Sequence, residues 1–383
     1  MDKQSGILKI AKKIAIIFIA ILFMLLFNKI TNNAFISQRN LTMLLKQASV
    51  LMILSSSLMM LLIEKNIDLS GGAGVYLTGV IVAILIVKMG VNIYIAIAAG
   101  IFLGLLMGLL NGFFIGIVGL PAFIVTLAAQ LIFRGTGYVL TNAATIGPMP
   151  KEFAAISEAY ISPLVSTILI SIFLVLFVSI QIIKFRKYQA WYGGINKLIN
   201  NIFAALFGSA ICIWVFSGYK GIPMCVVIAA ITVIVVHFIT TKTVYGRHIY
   251  LIGGNIDAAR LSGIKTEKRI IQSYIFEGLM YGVAGIVLTA RLSGAAATGG
   301  NLLELDAVAA ACIGGTSMNG GVGSILGVAF GVITLTAIDN VMSLMNVSSY
   351  LQMVAKGVIL LIAVCIDMYT TKAKFRFKLI NKK

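Results

Sequence analysis

Ionisable side chains are scarce in the apolar parts of this sequence, so each of them is a candidate for chemistry. Asp68 stands in "EKNIDLSGGAG", and Glu277 stands inside the apolar stretch "SYIFEGLMYG". A carboxyl group in such a position is costly, and it often serves to hold a proton, a cation or a polar solute. The alternative is a structural role, in which the carboxyl is buried and hydrogen-bonded. Further candidates of this kind are Glu304, Asp306, Asp339 and Asn340.

The residues around Asp68 predict a break between two helices. Ser70, Gly71 and Gly72 interrupt two apolar runs, and either Ser70 or Asp68 is a suitable N-cap for the second helix. The turn is either a plain cap or a discontinuous segment that borders a transport pathway. Arg134 ends a later apolar run, and we expect it to reach an interface or to pair with a carboxylate.

The motifs of nucleotide-hydrolysing and metal-dependent enzymes are missing from the sequence. The run "GGTSMNGGVGS" (Gly314–Ser324) offers free backbone amides that could cradle an anion, but it fits neither a P-loop nor a nucleophile elbow. His237 and His248 are the only histidines, and the four cysteines are widely spaced in apolar surroundings. We therefore expect no catalytic residue, no metal site and no cofactor bound by this chain. The cysteines are Cys212, Cys225, Cys312 and Cys365.

The elements that carry these residues are membrane-spanning helices. Of the 383 residues, 60% are hydrophobic and 11% are charged, whereas soluble domains average about 25% charged residues. A spanning helix needs about 20 mostly apolar residues, and no alternating pattern of a membrane barrel is visible. The sequence predicts an all-α, polytopic membrane helical bundle. The expected spans are 14–30, 48–63, 73–88, 93–118, 121–140, 161–183, 199–217, 222–240, 270–290 and 350–369, with one or two more, or broken half-helices, in 303–343.

Positive charge is distributed in a way that indicates topology. The net charge is +18, but most Lys and Arg residues lie in four polar segments at 3–13, 184–197, 242–269 and 372–383. Each segment flanks apolar spans, which is the positive-inside pattern and does not indicate nucleic-acid binding. We expect both termini in the cytoplasm and an even number of spans, ten or twelve. Residues 1–383 then form a single permease domain, with a basic cytoplasmic tail at 370–383.

One expected span carries a glycine at every fourth position. On a helix these residues share one face, and small residues allow helix backbones to approach closely in lipid. We expect tight helix packing there, and the alternative is a surface that slides during transport. Shorter ladders occur at Gly278 and Gly282 and at Gly323, Gly327 and Gly331. The long ladder consists of Gly100, Gly104, Gly108, Gly112 and Gly116.

A short charged element, "IYLIGGNIDAARLSGIKTEKR", interrupts the apolar runs between 249 and 269. Asn255 is a good N-cap, Asp257 favours the helix dipole, and Gly263 is placed as a C-cap, so 256–262 should form about two turns. We expect Gly253 and Gly254 to allow a sharp entry to this helix, with positive φ at Gly254 if the turn uses it, and we expect Arg260 to be exposed. Such a helix suits mechanical contact with a cytoplasmic partner, and the alternative is an amphipathic helix on lipid headgroups. The candidate coupling residues are Gly253, Gly254, Asn255, Asp257, Ala258, Ala259, Arg260 and Gly263.

Six motifs follow one another along the chain: "NIDLSGGAGVYLTGV", "GLLNGFFIGIVGLPAFIVTL", "FRGTGYVLTN", "TVYGRHIYLIGGNIDAARLSGI", "LLELDAVAAACIGGTSMNGGVGS" and "YLQMVAKGVILLIAVCID". With these motifs in this order, the sequence resembles the permease subunits of bacterial monosaccharide ABC importers. The resemblance covers nearly the whole chain. It is strongest to the xylose-type branch, because of the basic insert "KFRKYQAWYGGINK" and the phrase "SGYKGIP". The sequence departs from the family at Gly71, where the family usually has Val.

The resemblance implies a division of labour in the bacterial cytoplasmic membrane. An extracytoplasmic binding protein captures the sugar, and two permease chains, expected to be a homodimer, form the pathway in the lipid. A separate ATPase with two nucleotide-binding modules uses ATP and Mg and grips the coupling segment, 241–269. Xylose is the expected sugar, and galactose, ribose, arabinose or a related small sugar is the alternative. The candidate pathway residues are Asp68, Ser70, Asn111, Phe123, Thr126, Asp306 and Asn340.

Two other classes of function compete with this interpretation. A proton- or sodium-coupled secondary carrier would use Asp68, Glu277 or Asp306, and it would need no docking helix. A membrane scaffold or receptor would move no solute at all. The capped helix at 256–262 and the lack of a clear internal repeat favour the ATP-driven permease.

Overall fold

The structure, a computed structural model, describes residues 24–187 and 194–380, with side chains as far as Cys365 and at Met368. Most of the expected span 14–30 and the side chains of the basic tail 370–383 lie outside this range. The described residues are helical almost throughout, with two strands of two residues each, and this confirms the all-α membrane fold.

Nine helices in the described ranges are long and apolar enough to cross a membrane. Each expected span from 48–63 to 270–290 coincides with one of them, with shifts of a few residues at most ends and a start ten residues earlier for the first. A further helix, α14 (Ser349–Ile380), contains the shorter apolar stretch Ser349–Cys365. The even total therefore stays a prediction. The nine are α1 (Gln38–Ile63), α2 (Gly71–Ala83, extended by a π-helical turn, Ile84–Lys88), α3 (Ile93–Gly116), α4 (Ala122–Thr141), α6 (Pro163–Lys187), α7 (Ile195–Ser217), α8 (Met224–Lys242), α11 (Thr266–Leu292) and α13 (Ile325–Leu344).

The short elements connect these spans. The glycine-rich region 303–343 contains one short helix, a loop at 314–324 and one helix long and apolar enough to be a further span. Two short strands, β1 (Tyr160–Ile161) and β2 (Ile222–Pro223), pair with each other. The remaining helices are α5 (Lys151–Glu158), α9 (Val244–Gly254), α10 (Ile256–Leu261) and α12 (Leu303–Ile313).

The chain divides into two compact units. The first comprises Met1–Leu44, Ile161–Ile222 and Ala337–Gln352, and it includes the neighbouring helices α6 and α7. The second comprises Leu45–Tyr160, Pro223–Thr336 and Met353–Lys383. Both the turn after α1 and the charged element at 244–263 belong to the second unit.

The core of the second unit surrounds the end of α1. Residues from Ile53 to Ile63 are almost completely buried on every side of the helix, including three consecutive serines, Ser55–Ser57. A helix buried on all faces has no polar face for solvent, and short serine side chains can satisfy themselves on its own backbone. Ser56 Oγ donates to Met52 O at 2.5 Å, and Ser57 Oγ donates to Leu54 O at 3.0 Å.

Helices α3 and α11 pack with their backbones in contact. The glycine ladder of α3 faces the short ladder of α11: a Cβ placed on Gly108 would lie 2.9 Å from Gly278 Cα, and one placed on Gly282 would lie 2.9 Å from Ile101 Cα. Such distances leave no room for a side chain. Gly112 and Gly116 continue this line against Ile271, and Gly100 approaches Val82 of α2. The structure thus places every glycine of the ladder against a neighbouring helix.

Candidate functional site

A buried hydrogen-bonded cluster forms at the break between α1 and α2. Asp68 Oδ1 accepts hydrogen bonds from the backbone N and the Oγ of Ser70, both at 2.7 Å. Asn111 of α3 donates to Ser70 Oγ at 3.0 Å, and Tyr281 of α11 donates to Asp68 Oδ2. All four side chains are buried. The cluster joins three helices through polar atoms, in a part of the chain that is otherwise apolar.

The cap at this break differs in detail from the prediction. Ser70 occupies the N-cap position, but its hydroxyl makes no capping hydrogen bond to α2. Asp68 instead accepts from Ser70 N and so orders the turn before the helix. Tyr281 was missed in the sequence analysis. Its signal was weak, because a tyrosine in an apolar helix is more often a packing residue than a hydrogen-bond donor.

Thr126 borders the same turn. Its Oγ1 donates to Ala122 O at 2.9 Å within its own helix and lies 3.3 Å from Ile67 O. The buried Thr126 therefore adjoins the Asp68 cluster, whereas Phe123 on the same helix is exposed. Four of the seven candidate pathway residues consequently lie in one region: Asp68, Ser70, Asn111 and Thr126.

The other candidate pathway residues are held elsewhere. Asp306 of α12 forms an ion pair with Lys356 of α14, with 2.7 Å between Oδ2 and Nζ. Asn340 exchanges two amide hydrogen bonds with Asn40, of 2.8 and 3.1 Å, inside the first unit. The structure does not bring these two residues to the Asp68 cluster.

A second polar group lies at the start of α12. Glu304 is buried, and its Oε1 accepts from Gln130 Nε2 at 3.0 Å. Within the described ranges Arg134 pairs with no carboxylate; it donates to the carbonyls of Gly299 and Gly300 at 2.6 and 3.0 Å. Because Glu304 approaches Gly72, this group borders the first turn of α2.

Glu64, which ends the run before the break, is a functional candidate that sequence reasoning did not single out. It is buried, and its Oε1 accepts from Ser273 Oγ at 2.9 Å. Burial raises the pKa of Glu64 from its ordinary value of 4.5 to about 8, and the Ser273 bond offsets this only in part. Ser273 Oγ is also 2.7 Å from the hydroxyl of Tyr245 on α9, so Glu64 is linked to the coupling segment, 241–269.

The charged element forms a capped helix, α10. Asn255 Oδ1 accepts a hydrogen bond from Ala258 N at 3.0 Å, and Asp257 lies in the first turn. Ala259 is the buried residue of this helix. The helix ends at Leu261, one residue earlier than expected, and Gly263 follows with φ +81° and donates to Arg260 O at 2.9 Å.

Two side chains at the end of α10, one cation and one large apolar residue, are prominently exposed. Arg260 is about half exposed and pairs with Glu267 at 2.8 Å, which fixes the guanidinium beside the start of α11. Leu261 is 91% exposed, although it is apolar and lies in a charged segment. An exposed leucine in this setting is a candidate contact with another protein. It was missed because the sequence does not show which face of so short a helix is covered.

The two glycines before α10 have different roles from those predicted. Gly254 is helical, its φ is not positive, and a Cβ there would meet nothing within 4 Å, so the prediction of a positive-φ turn at this residue is wrong. Gly253 is the constrained one. A Cβ on Gly253 would overlap the carbonyl oxygen of Ile63 and lie 2.7 Å from Gly321 N.

Comparison with known proteins shows what kind of protein has this arrangement. Residues 40–364 match the family model described as the permease component of branched-chain amino acid transport systems. The chain belongs to this permease family. The xylose transport system permease protein XylH of Haemophilus influenzae is 38% identical over 362 residues, which is 94% of this chain and 96% of the relative.

Other relatives in this family are also named as sugar permeases. XylH of Escherichia coli is 35% identical over 381 residues, which is 96% of this chain and 95% of the relative. The ribose import permease protein RbsC of Escherichia coli is 32% identical over 333 residues, 87% of each chain. No solved structure matches the chain.

These findings confirm the resemblance seen in the sequence. The chain is a multi-pass inner-membrane permease subunit of a sugar ABC importer, and it is a transport subunit and not an enzyme. Membership of such an importer implies an ATPase and a binding protein as partners.

Proposed function

We propose that this permease conducts xylose across the inner membrane and is driven by a separate ATPase that docks on 241–269. The observation that carries the proposal is the geometry of α10: a helix with a satisfied N-cap displays Leu261 and Arg260 outward, and it is joined to the span α8 through α9 and to the span α11 by a short connection. Xylose is the first choice because the relatives named for xylose are 35–38% identical, against 32% for the ribose permease.

The Asp68 cluster is the proposed polar border of the pathway. Its hydroxyl, amide and carboxylate groups offer both donors and acceptors, which is the chemistry that sugar hydroxyl groups require. Asn111 and Tyr281 approach Asp68 and Ser70 from α3 and α11, so a relative movement of these helices would change the hydrogen bonds available to a passing sugar.

The proposed assembly contains two copies of this chain, with both termini and 241–269 in the cytoplasm. The partner ATPase has two nucleotide-binding modules and consumes ATP with Mg. The positive-inside distribution of Lys and Arg supports the orientation. A cysteine introduced at Lys265 in a cysteine-free variant should react with a membrane-permeant reagent but not with an impermeant reagent added outside intact cells. Labelling from outside would overturn this topology.

The test of function is reconstitution of the permease with its ATPase and binding protein in liposomes. Uptake of radiolabelled xylose should require ATP and binding protein, and it should persist without any ion gradient. Competition with unlabelled ribose, galactose and arabinose identifies the sugar. Uptake that follows a proton or sodium gradient without ATP would replace the proposal by an ion-coupled carrier. A complete lack of solute movement with every sugar would favour a scaffold.

A further inference from the structure

The loop 314–324 lies directly against the coupling segment. Gly321 N donates to Ile63 O at 2.8 Å, at the carbonyl that leaves no room for a side chain on Gly253. Tyr250, on α9, donates its hydroxyl proton to Gly323 O at 2.8 Å. The end of α1, the helix α9 and this loop therefore meet at one place in the second unit.

The loop is shaped for close contact with α9 and the end of α1. Gly320 and Gly321 have φ of +77° and +73°. A Cβ on Gly320 would lie 2.8 Å from Gly253 O and 2.9 Å from Ile63 O. Ser317 N donates to Val322 O at 2.9 Å and closes the loop upon itself. A displacement of α9 is thus opposed by backbone atoms, which do not yield as a flexible side chain would.

The loop continues without a break from a short helix that is rigidly supported. Gly315 N and Thr316 N donate to Cys312 O and Ala311 O, both at 2.9 Å, so the last turn of α12 is joined to the loop by its own hydrogen bonds. Along its side α12 packs on α13, where Gly327 and Gly331 face the backbone of Gly314 and Ala310. Helix α12 has 11 residues, a length of about 16 Å at 1.5 Å per residue.

The other end of α12 lies beside the proposed pathway. Glu304, in its first turn, approaches Gly72, two residues after Ser70 of the Asp68 cluster. Arg134 holds the preceding turn through the carbonyls of Gly299 and Gly300. A rigid element consequently touches the coupling segment at one end and the border of the Asp68 cluster at the other.

We infer that the loop 314–324 and α12 transmit displacement of the coupling segment to the start of α2, with Tyr250 as the positioning residue that holds the loop to α9. This inference rests on the proposed function and extends it, because it assigns a second route of coupling besides the direct connection of α10 to α11. In this interpretation a displacement of the coupling segment moves α12, and the displacement reaches the start of α2 at Glu304.

The test uses the complete complex in liposomes, with the four cysteines replaced by serine and a reporter, Leu305→Cys, on the partly exposed first turn of α12. The rate of maleimide labelling is measured without nucleotide and with ATP plus vanadate, alongside xylose uptake. The reporter's labelling rate should change with nucleotide. Tyr250→Phe should abolish most of that change and lower uptake about fivefold, the factor that corresponds to the net contribution of one hydrogen bond. Basal ATP hydrolysis should stay at the unmodified level, and the fall in thermal stability should be small, since the lost bond is only partly buried.

Two further variants complete the experiment. Gly320→Ala, which adds a side chain where none fits, should have the same effect as Tyr250→Phe or a larger one. Tyr94→Phe is the matched control and should have no effect, because Tyr94 is exposed and lies far in the sequence from Tyr250 and the loop. If Gly320→Ala does not fold, the milder Tyr250→Phe decides.

The results separate this inference from the proposed function. A reporter complex with Tyr250 intact that shows neither uptake nor stimulated hydrolysis contradicts the proposed function itself. Two other results would overturn the role of α12 and leave the permease function standing. The first is a complex that transports normally while the labelling rate of the reporter does not change with nucleotide. The second is a Tyr250→Phe complex whose labelling and transport rates equal those of the unmodified complex.

Discussion

Helices α6 and α11 are both long enough to cross a membrane, yet the more apolar of the two is the more exposed. In the apolar stretch of α11, 61% of the residues are buried inside the chain, against 6% in α6 and 6% in its neighbour α7. Helix α11 carries the hydrogen-bonded Ser273 and three packed glycines, Gly278, Gly282 and Gly285, whereas α6 displays large apolar side chains over most of its surface. Lipid accepts any apolar side chain, but a protein neighbour in lipid selects for small residues and satisfied polar groups.

The largest expected effect comes from filling the contact between α3 and α11. Gly108→Leu would force a large side chain against Gly278, where even a Cβ has no room. Overpacking typically costs about 1–3 kcal/mol, and we expect a loss at or above the upper end because backbone atoms must move. Yield of folded protein and thermal unfolding in detergent measure it.

The matched control for this change lies in the exposed helices α6 and α7. Gly208 of α7 has nothing within 4 Å of the position of a Cβ, so Gly208→Leu should leave yield, melting temperature and uptake near the unmodified values. Equal effects of the two leucines would show that backbone contact does not distinguish these regions.

The same contrast recurs between two adjacent glycines before α10, with a smaller expected effect. Gly253→Ala places a methyl group on the Ile63 carbonyl and should impair both folding yield and stimulated ATP hydrolysis. Gly254→Ala enters open space and should be tolerated or slightly stabilising, because alanine favours a helix. Impaired coupling in Gly254→Ala with normal coupling in Gly253→Ala would refute this geometric argument.

The exposed side chains of α6 are those of an apolar span, whereas those of α10 are proposed to contact the ATPase. Substitutions in α10 should therefore affect coupling without affecting folding. Leu261→Asp should abolish most of the binding-protein stimulation of ATP hydrolysis, since losing a hot-spot residue at the centre of an interface costs about 2 kcal/mol or more. Arg260→Glu should do so to a lesser degree, because it repels Glu267 and reverses the local charge.

Leu261→Met preserves an apolar contact and is the control for this pair of variants. The yield and melting temperature of the permease should be unchanged in all three, since no span is altered. Stimulated hydrolysis at the unmodified level in Leu261→Asp would leave α10 as a membrane-surface helix without a docking role.

The smallest expected effect is a dependence of folding stability on pH. It comes from a buried carboxyl group, and the exposed helices α6 and α7 contain no carboxyl side chain. Burial raises the pKa of Glu64 from 4.5 to about 8, so the folded chain keeps a proton that the unfolded chain releases. Stability should therefore fall as pH rises between these values, by at most about 1.4 kcal/mol per pH unit. Glu64→Gln keeps an acceptor for Ser273 and should remove Glu64's contribution to the slope in melting temperature between pH 5.5 and 8. An unchanged slope would show that Glu64 is ionised in the folded chain.

Much of the fold could be predicted because membrane insertion depends on local composition. The positions of the spans follow from apolar length, and the start of α10 follows from Asn255, whose side chain reaches Ala258 N three residues on. The predictions at Gly254 and at Asn340 depended on surroundings that the local sequence does not contain. Gly254 borders open space beside α9, and Asn340 is held by Asn40, which is distant in the sequence.

By itself, the sequence determined that the chain is a polytopic helical permease and where its capped charged helix begins, since hydropathy, capping and the family motifs are encoded within short windows. Only the tertiary structure decided which polar residues meet. Asp68 and Ser70 come from the turn before α2, whereas Asn111 and Tyr281 come from α3 and α11, whose rotation about their axes is set by close packing at Gly104, Gly108 and Gly278. That rotation depends on contacts between helices far apart in the chain, and no local pattern contains it.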